Sequence, residues 1–162
     1  MKTLIITLMF SALSLSAYSQ EGLKIGISGG LPIGQDAEPY TVNLQGNLDY
    51  LFHITREIHI GVTTAYSHYV GGDVDGVDQE DFTYVPLGGT AQFHISDKVK
   101  LGADLGYALI LKPEDLEGGF FYVPKVQYSL SENTDLVLAY RGIAHNTISL
   151  GSISLGFEFG FF

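Results

Sequence analysis

Three of the five histidines in this sequence lie where they could act together on a metal ion. His53 and His59 flank a short polar segment at residues 55–57, and His94 precedes a similar segment at residues 96–98. Imidazole nitrogens are common ligands of zinc. The three histidines are therefore candidate zinc ligands. No acidic or thiol fourth ligand is obvious in the sequence. This favours the interpretation that the three histidines are ordinary polar residues at one end of the fold.

Acidic side chains concentrate in the segment GDVDGVDQED, at residues 72–81. Asp73, Asp75 and Asp78 surround Gly76, and carboxylate oxygens are the ligands that calcium prefers. The spacing differs from that of an EF-hand loop. A solvated acidic loop is the favoured interpretation, so we assign no metal site to these residues or to the histidines, and we predict no cofactor.

The best candidates for a catalytic nucleophile and its general base are Ser67 and His68, which are adjacent in the sequence. Neighbouring residues of a β-strand point to opposite faces, so this hydroxyl and this imidazole cannot pair if the segment is a strand. His145 and Ser149 are no better defined as a pair. We predict that the protein is not an enzyme, with a lipid-modifying barrel enzyme as the least favoured alternative.

The elements that carry these residues show a period of two. In YTVNLQGNLDYLFHI, at residues 40–54, Val42, Leu44 and Leu48 alternate with polar residues such as Asn43 and Asp49. This alternation is typical of a strand with one apolar and one polar face. It recurs seven times, so we predict eight strands and no helix, the other seven at residues 23–31, 58–69, 82–95, 99–111, 120–130, 135–144 and 148–159.

The joints between the predicted strands alternate in length. Short polar joints lie at residues 55–57, 96–98 and 131–134, whereas longer joints rich in Gly, Pro and acids lie at 32–39, 70–81 and 112–119. In an up-and-down arrangement the three short joints fall at the end that holds both chain termini. Tight turns at one end and larger loops at the other are typical of an outer-membrane barrel. We therefore predict an all-β fold, an eight-stranded antiparallel up-and-down transmembrane β-barrel.

The apolar face of the predicted strands is rich in aromatic rings near the strand ends, as expected for girdles at the two bilayer interfaces. We therefore assign the apolar face to lipid and the polar face to the lumen. The alternative is a soluble, lipocalin-like barrel, in which the apolar face would line the interior.

The N-terminal segment, residues 1–20, has the composition of a secretory signal peptide. Lys2 precedes a short apolar stretch, and Ala17 and Ser19 stand before the expected cleavage point. We predict that residues 21–162 form one domain, which crosses the periplasm after cleavage and inserts in the outer membrane. The sequence has no Cys, so no disulfide forms. Its net charge of −10 argues against nucleic acid as a partner.

Six charged residues lie on the predicted lumen face, and they comprise three of each sign: Lys24, Asp49, Asp104, Lys125, Arg141 and Glu158. The interior of an eight-stranded barrel is just wide enough for side chains. Buried charges need partners, because their desolvation is otherwise too costly. A packed, self-neutralising plug is thus favoured over a narrow path for solutes.

The chain closes on the strand SLGFEFGFF, and it contains the segments LKIGISGGL and KVKLGADLGYAL. With the export signal and eight alternating strands, these segments resemble the small outer-membrane β-barrel proteins of Gram-negative cell envelopes. This porin-type family includes OmpX and the barrel domain of OmpA. The resemblance implies that the terminal aromatic strand is read by the barrel-assembly machinery, and the candidate positions are Phe157, Phe159, Phe161 and Phe162. It further implies contact with outer-membrane lipid and lipopolysaccharide, and we expect a monomer.

Ten of the eighteen acidic residues lie in the predicted external loops. We therefore expect a membrane-structural role or a surface interaction made through these acidic loops. The alternative is a narrow, porin-like channel for small solutes.

Overall fold

The computed structural model describes residues 22–114, 116–145 and 149–161. The predicted signal peptide, residues 1–20, and the terminal Phe162 lie outside the described residues. Within the described part of the chain every regular element is a strand, and these are β1 (Gly22–Ile33), β2 (Tyr40–His53), β3 (Ile58–Gly71), β4 (Asp73–Val74), β5 (Val77–Asp78), β6 (Phe82–His94), β7 (Val99–Lys112), β8 (Gly119–Ser131), β9 (Thr134–Ala144) and β10 (Ser149–Phe161). No apolar helix long enough to span a bilayer occurs among these residues.

The eight long strands form a closed barrel in the order β1-β10-β9-β8-β7-β6-β3-β2. All neighbours are antiparallel, and the seam between the first and last strands pairs Leu23 with Phe161 and Ile33 with Gly151. The predicted eight-stranded antiparallel barrel is confirmed. Each predicted strand boundary lies within two residues of the observed one, because the alternation that predicts a strand is set by its own backbone.

The two faces of the wall have opposite character. On β10, Phe157 and Phe159 are 43% and 41% exposed on the outside, whereas Glu158 between them is 3% exposed in the lumen. The same alternation leaves large apolar side chains pointing outward on all eight barrel strands. Exposing so much apolar surface to water would be strongly unfavourable, so this wall faces lipid. The alternative of a soluble barrel with an apolar interior is therefore wrong.

Three tight turns join the strands at the end that holds both described chain ends. In each turn a hydroxyl accepts a backbone N–H, such as that of Ile58 at 2.9 Å from Thr55 and that of Val99 at 3.1 Å from Ser96. Ser131 accepts the N–H of Asn133 in the third. These local hydrogen bonds satisfy the turn backbone and explain why short Ser- and Thr-containing joints suffice.

The opposite end of the barrel carries the longer connections. Residues 72–81 contain a small hairpin, β4 and β5, that sequence reasoning did not predict, with Asp73 opposite Asp78. Its turn needs positive φ at Asp75 (54°) and Gly76 (80°), conformations that Asp tolerates and Gly favours. The acids of this segment therefore project from an ordered hairpin.

Candidate functional site

All six predicted lumen charges are buried inside the barrel: Lys24, Asp49, Asp104, Lys125, Arg141 and Glu158. The structure brings five of them into one ion-paired network in the half of the lumen nearest the tight turns. Arg141 lies apart from the five, further towards the external loops.

Lys125 is the centre of this network. Its Nζ lies 3.3 Å from Asp49 Oδ2, 3.0 Å from Asp104 Oδ1 and 3.7 Å from Glu158 Oε1. Lys125 is on β8 and Asp49 is on β2, the strand diametrically opposite in the barrel order. One ammonium group therefore crosses the bore and ties opposite walls together. Three carboxylates around one ammonium leave negative charge that other cations must balance.

Two further residues, Lys100 and Asp135, belong to the network, and sequence reasoning omitted them from the lumen cluster. Asp135 Oδ2 lies 2.9 Å from the Nζ of Lys24 and 2.8 Å from that of Lys100, and its Oδ1 accepts the Ser129 hydroxyl at 2.7 Å. The sequence did contain a signal for Lys100, because Lys100 lies on the same strand face as Asp104, which was predicted to face the lumen. With these two residues the lumen holds four cations and four carboxylates among the described residues, which balances its charge.

Arg141 occupies the middle of the lumen without an ion pair within 4.0 Å in the described part of the chain. Its guanidinium donates to the hydroxyl of Ser154, and its Nε has no hydrogen-bond partner. Asp104 and Glu158 line the same small cavity. Their negative charges act on the guanidinium across that cavity.

The half of the lumen nearest the external loops is filled mainly by aromatic and aliphatic side chains, which sequence reasoning did not predict. Tyr69 and Phe82 lie with ring centroids 6.0 Å apart, and Phe82 and Tyr84 5.9 Å apart. The Tyr69 hydroxyl donates to Ser152 Oγ at 3.1 Å. Val137 and Ala139 extend the same cluster along β9 towards the tight turns. We call the members nearest the external loops the external cap, and they are Ala37, Tyr69, Phe82, Tyr84, Ala108, Phe121, Val123, Ile143 and Leu150.

Residues of two external loops complete the external cap. Ala37 is buried in it, and Leu116 packs against it. The cavity between the lumen charges and Tyr84, Phe121 and Val123 of the cap has a volume of about 10 Å³. That is roughly the room that one water molecule needs. In the described part of the chain, side chains therefore fill most of the lumen.

The three candidate zinc ligands meet at the opposite mouth of the lumen. His53 pairs with His59 across adjacent strands, and their ring centroids lie 4.0 Å apart. The rings of His59 and His94 lie 4.5 Å apart. Across the described residues, however, no group of three or more His, Cys, Asp or Glu side chains is arranged to hold a metal ion.

The candidate calcium ligands are likewise not gathered into a metal site in the described part of the chain. Asp73 Oδ1 instead accepts the backbone N–H of Gly76 at 2.7 Å, which closes the turn of the small hairpin. The exposed carboxylates of Asp75 and Asp78 extend from the same hairpin into the surroundings.

Ser67 and His68 point to opposite faces, as strand geometry predicts. Ser67 is buried in the lumen, where it accepts a hydrogen bond from Asn43 Nδ2 at 2.9 Å. His68 lies on the outer wall, with its Nδ1 2.9 Å from Thr83 Oγ1 and its Nε2 3.5 Å from Asp81 Oδ2. The sequence did not predict this arrangement of hydroxyl, imidazole and carboxylate, because Thr83 belongs to β6 and Asp81 belongs to the loop before β6.

The C-terminal strand presents a row of phenylalanines to the outside. Phe157, Phe159 and Phe161 alternate along β10 and pair with Ile27, Ile25 and Leu23 of β1. The proposed assembly signal is thus an exposed aromatic row at the seam, at the barrel end that carries the tight turns.

A family model for the outer membrane protein β-barrel domain matches residues 4–161 of this chain. No curated protein matches it. Among solved structures, Ail, the attachment invasion locus protein of Yersinia pestis, is 17% identical, with a TM-score of 0.58 over 87% of this chain and 97% of that chain. Neisserial surface protein A is 20% identical, with a TM-score of 0.53 over 88% and 98%. The outer membrane enzyme PagL is 11% identical, with a TM-score of 0.58 over 84% and 98%. The TM-scores show a shared fold, and because all three identities are below 25% they show the fold only.

Proposed function

The chain belongs to the outer membrane protein β-barrel domain family, and on that premise we propose that it is a non-catalytic barrel that presents acidic loops for contact with a cationic partner. The observation that carries the proposal is the charge of the external segments. Residues 34–39, 72–81, 113–118 and 145–148 contain ten acids and no Lys or Arg. Such a surface attracts cationic groups and repels anionic ones.

The filled lumen supports a role on the surface. Four cations and four carboxylates balance one another inside the described barrel, and the external cap covers them. Because the interior charges balance one another, most of the net negative charge of the protein lies in the external loops. The runner-up, a narrow solute channel, would need an open path, and the cavity of about 10 Å³ speaks against one.

The geometry at His68 supports a non-catalytic role. Its Nδ1 is engaged by Thr83 and its Nε2 faces Asp81. The Thr83 residue is only 3% exposed, so its hydroxyl has little access to a substrate. A catalytic nucleophile must reach the substrate while it is hydrogen-bonded to its general base. We therefore assign His68 a structural role towards Thr83 and Asp81.

We also propose that the chain is a monomer, and that the assembly machinery reads the phenylalanine row of β10. The outward rows of apolar side chains contact membrane lipid, and the acidic loops meet lipopolysaccharide only through cations, since both are anionic. These partner assignments rest on the family and on the charge pattern.

The binding proposal is tested with the barrel in nanodiscs and a fluorescent oligolysine peptide as the probe. Replacing Asp73, Asp75 and Asp78 together by Asn removes three exposed loop charges and keeps the hydrogen-bond acceptor at residue 73. At ~0.5 kcal/mol for each exposed charge pair, we expect roughly tenfold weaker binding and a smaller salt dependence. The measurement is a fluorescence anisotropy titration at several salt concentrations.

The matched control removes three exposed charges from the opposite end, by Glu57→Gln, Asp97→Asn and Glu132→Gln in the tight turns. We expect little change in binding. Equal weakening by both triple variants would mean that the peptide responds to overall charge, and the loop proposal would then be wrong.

A further inference from the structure

Three buried polar atoms in the lumen have no hydrogen-bond partner among the described residues, and their side chains line one cavity. They are Arg141 Nε, Gln45 Oε1 and Asp104 Oδ1. A buried polar atom that is left unpaired costs the fold its full desolvation free energy. Native proteins commonly pair such atoms with a buried water molecule. Three of them around one cavity therefore indicate a shared ligand.

The three residues reach this cavity from separate parts of the wall. Gln45 is on β2, Asp104 is on β7 and Arg141 is on β9, and no two of these strands are neighbours in the barrel. Two of the side chains are held by other contacts. The Arg141 guanidinium donates to the Ser154 hydroxyl, and Asp104 Oδ2 accepts a hydrogen bond from Lys125 Nζ at 3.1 Å. Their unpaired atoms therefore stay at the cavity.

The second oxygen of Asp104 has an ion-pair contact but no hydrogen bond. Lys125 Nζ lies 3.0 Å from Asp104 Oδ1, yet the hydrogen bond of this ammonium group goes to Oδ2. A carboxylate oxygen has two lone pairs. Asp104 Oδ1 can therefore accept a hydrogen bond from a ligand in the cavity while it keeps its electrostatic contact with Lys125.

The cavity has room for one very small ligand. Its volume is about 10 Å³, roughly that of one water-sized sphere. It lies where the ion-paired network meets the external cap, because it is lined by Lys125 and Glu158 of the network and by Phe121 and Val123 of the cap. An organic solute or a hydrated ion is too large for this space.

The unpaired atoms also define the chemistry of the ligand. Arg141 Nε carries one N–H donor, whereas Gln45 Oε1 and Asp104 Oδ1 are acceptors. The ligand must accept one hydrogen bond and donate two, which is what a water molecule does. A cation would be repelled by the Arg141 guanidinium, and an anion would be repelled by the carboxylates of Asp104 and Glu158.

We propose that this cavity binds one structural water molecule, which accepts the Arg141 Nε–H and donates to Gln45 Oε1 and Asp104 Oδ1. The water links Arg141 to Asp104, and Asp104 is in contact with Lys125. The guanidinium thus joins the ion-paired network through a water bridge. The site lies inside the barrel and is separate from the acidic loops, so neither proposal depends on the other.

The test is a rotating-frame Overhauser measurement between water and the arginine Nε–H protons. The folded barrel is deuterated, labelled with ¹⁵N-arginine and held in detergent micelles. We expect the Arg141 Nε–H to show a cross-peak at the water frequency with the sign of a dipolar contact. Chemical exchange with water gives the opposite sign, so the two sources are distinguished.

Arg56 supplies an internal control, because Arg56 and Arg141 are the two arginines of the sequence. The Arg56→Lys variant leaves one arginine and so assigns both Nε–H signals. Arg56 is exposed on a tight turn, where it meets bulk water that exchanges rapidly. We therefore expect no dipolar cross-peak from Arg56.

Ala65→Val is the variant that displaces the water. Ala65 lines the cavity, and the added methyl groups occupy it, so we expect the Arg141 cross-peak to disappear. Ala37→Val is the matched control, since Ala37 is 6% exposed against 8% for Ala65 and does not line the cavity. We expect this control to keep the cross-peak.

Gel mobility before and after boiling shows whether each variant folds. If Ala65→Val does not fold, Gln45→Met replaces it. Gln45→Met removes one acceptor at a similar side-chain length, and we expect the affinity for the water to fall roughly fivefold, which corresponds to the net contribution of one hydrogen bond.

The proposal would be overturned if the unaltered protein gave no dipolar cross-peak from Arg141, a result that needs no variant. It would also be overturned if the cross-peak persisted in folded Ala65→Val, or if Ala65→Val and Ala37→Val lost it equally. The cross-peak in the unaltered protein and in Ala37→Val, with its loss in Ala65→Val, would support the water site.

Discussion

At the scale of the residue, the lumen shows how a buried charge is made tolerable. Lys125 Nζ has three carboxylates within 3.7 Å, from three different strands. Burying any one of these charges alone would cost roughly several kcal/mol of desolvation free energy. Attraction to the oppositely charged partners buried beside it offsets this cost. The network therefore specifies which strands face one another across the lumen and at what height.

We predict that Lys125→Met strongly destabilises the barrel, because it leaves Asp49, Asp104 and Glu158 without their shared cation. Breaking a buried pair by removing one partner costs about 3–5 kcal/mol. Urea unfolding of the barrel in lipid vesicles, followed by gel mobility, measures the loss. Lys98→Met, at an exposed turn position, is the control and should change stability by less than ~0.5 kcal/mol. Equal unfolding midpoints for the two variants would show that the lumen network does not stabilise the fold.

At the scale of the element, close approach between strands decides which wall positions require glycine. A Cβ at Gly156 of β10 would lie 2.2 Å from the carbonyl oxygen of Ile27 on β1, across the seam that closes the barrel. The outward Gly89 of β6 is open by comparison. The close approach of β1 therefore requires glycine at position 156, whereas no close contact requires glycine at position 89.

We predict that Gly156→Ala weakens the seam between β1 and β10, since the backbone of β1 must move to admit a methyl group. Overpacking of this kind costs ~1–3 kcal/mol. The measurement is the fraction of unboiled protein that migrates in the compact, heat-sensitive form, and we expect that fraction to fall. Gly89→Ala should leave it unchanged. A normal compact fraction for Gly156→Ala would mean that the seam is looser than the structure indicates.

At the scale of the whole molecule, the barrel is a filled cylinder with two unlike halves. The half nearest the tight turns is held by ion pairs, and the half nearest the external loops is held by the external cap. In the described part of the chain, aromatic and aliphatic side chains pack together in the lumen at the height of the cap. The two halves of the barrel are therefore stabilised by different kinds of interaction.

We predict that the folded protein gives no discrete conductance steps in planar bilayers. The physical reason is that side chains fill the lumen in the described part of the chain, where the cavity among the lumen charges has a volume of only about 10 Å³. A boiled, unfolded sample serves as the control for leaks caused by detergent. Reproducible unitary steps from the folded sample alone would favour the channel alternative instead.

The parts of this protein that could be predicted from its sequence are those set by local backbone geometry. Side chains alternate between the faces of a strand with a period of two, so YTVNLQGNLDYLFHI predicts both a strand and its two faces. The same rule places Lys24, Asp49 and Glu158 in the lumen and Phe157 outside, where the structure has them. Short joints with Thr55 and Ser96 predict the tight turns for the same local reason.

Tertiary structure alone decided which of these residues meet and at what depth. Closure and stagger of the strands set the height of each residue along the bore, and so bring Lys125 to Asp49 from opposite walls. Depth also separates the ion-paired half from the external cap, a division that strand alternation cannot encode because it distinguishes faces and not heights. The contact of His68 with Asp81 likewise exists only because the loop before β6 is brought against β3.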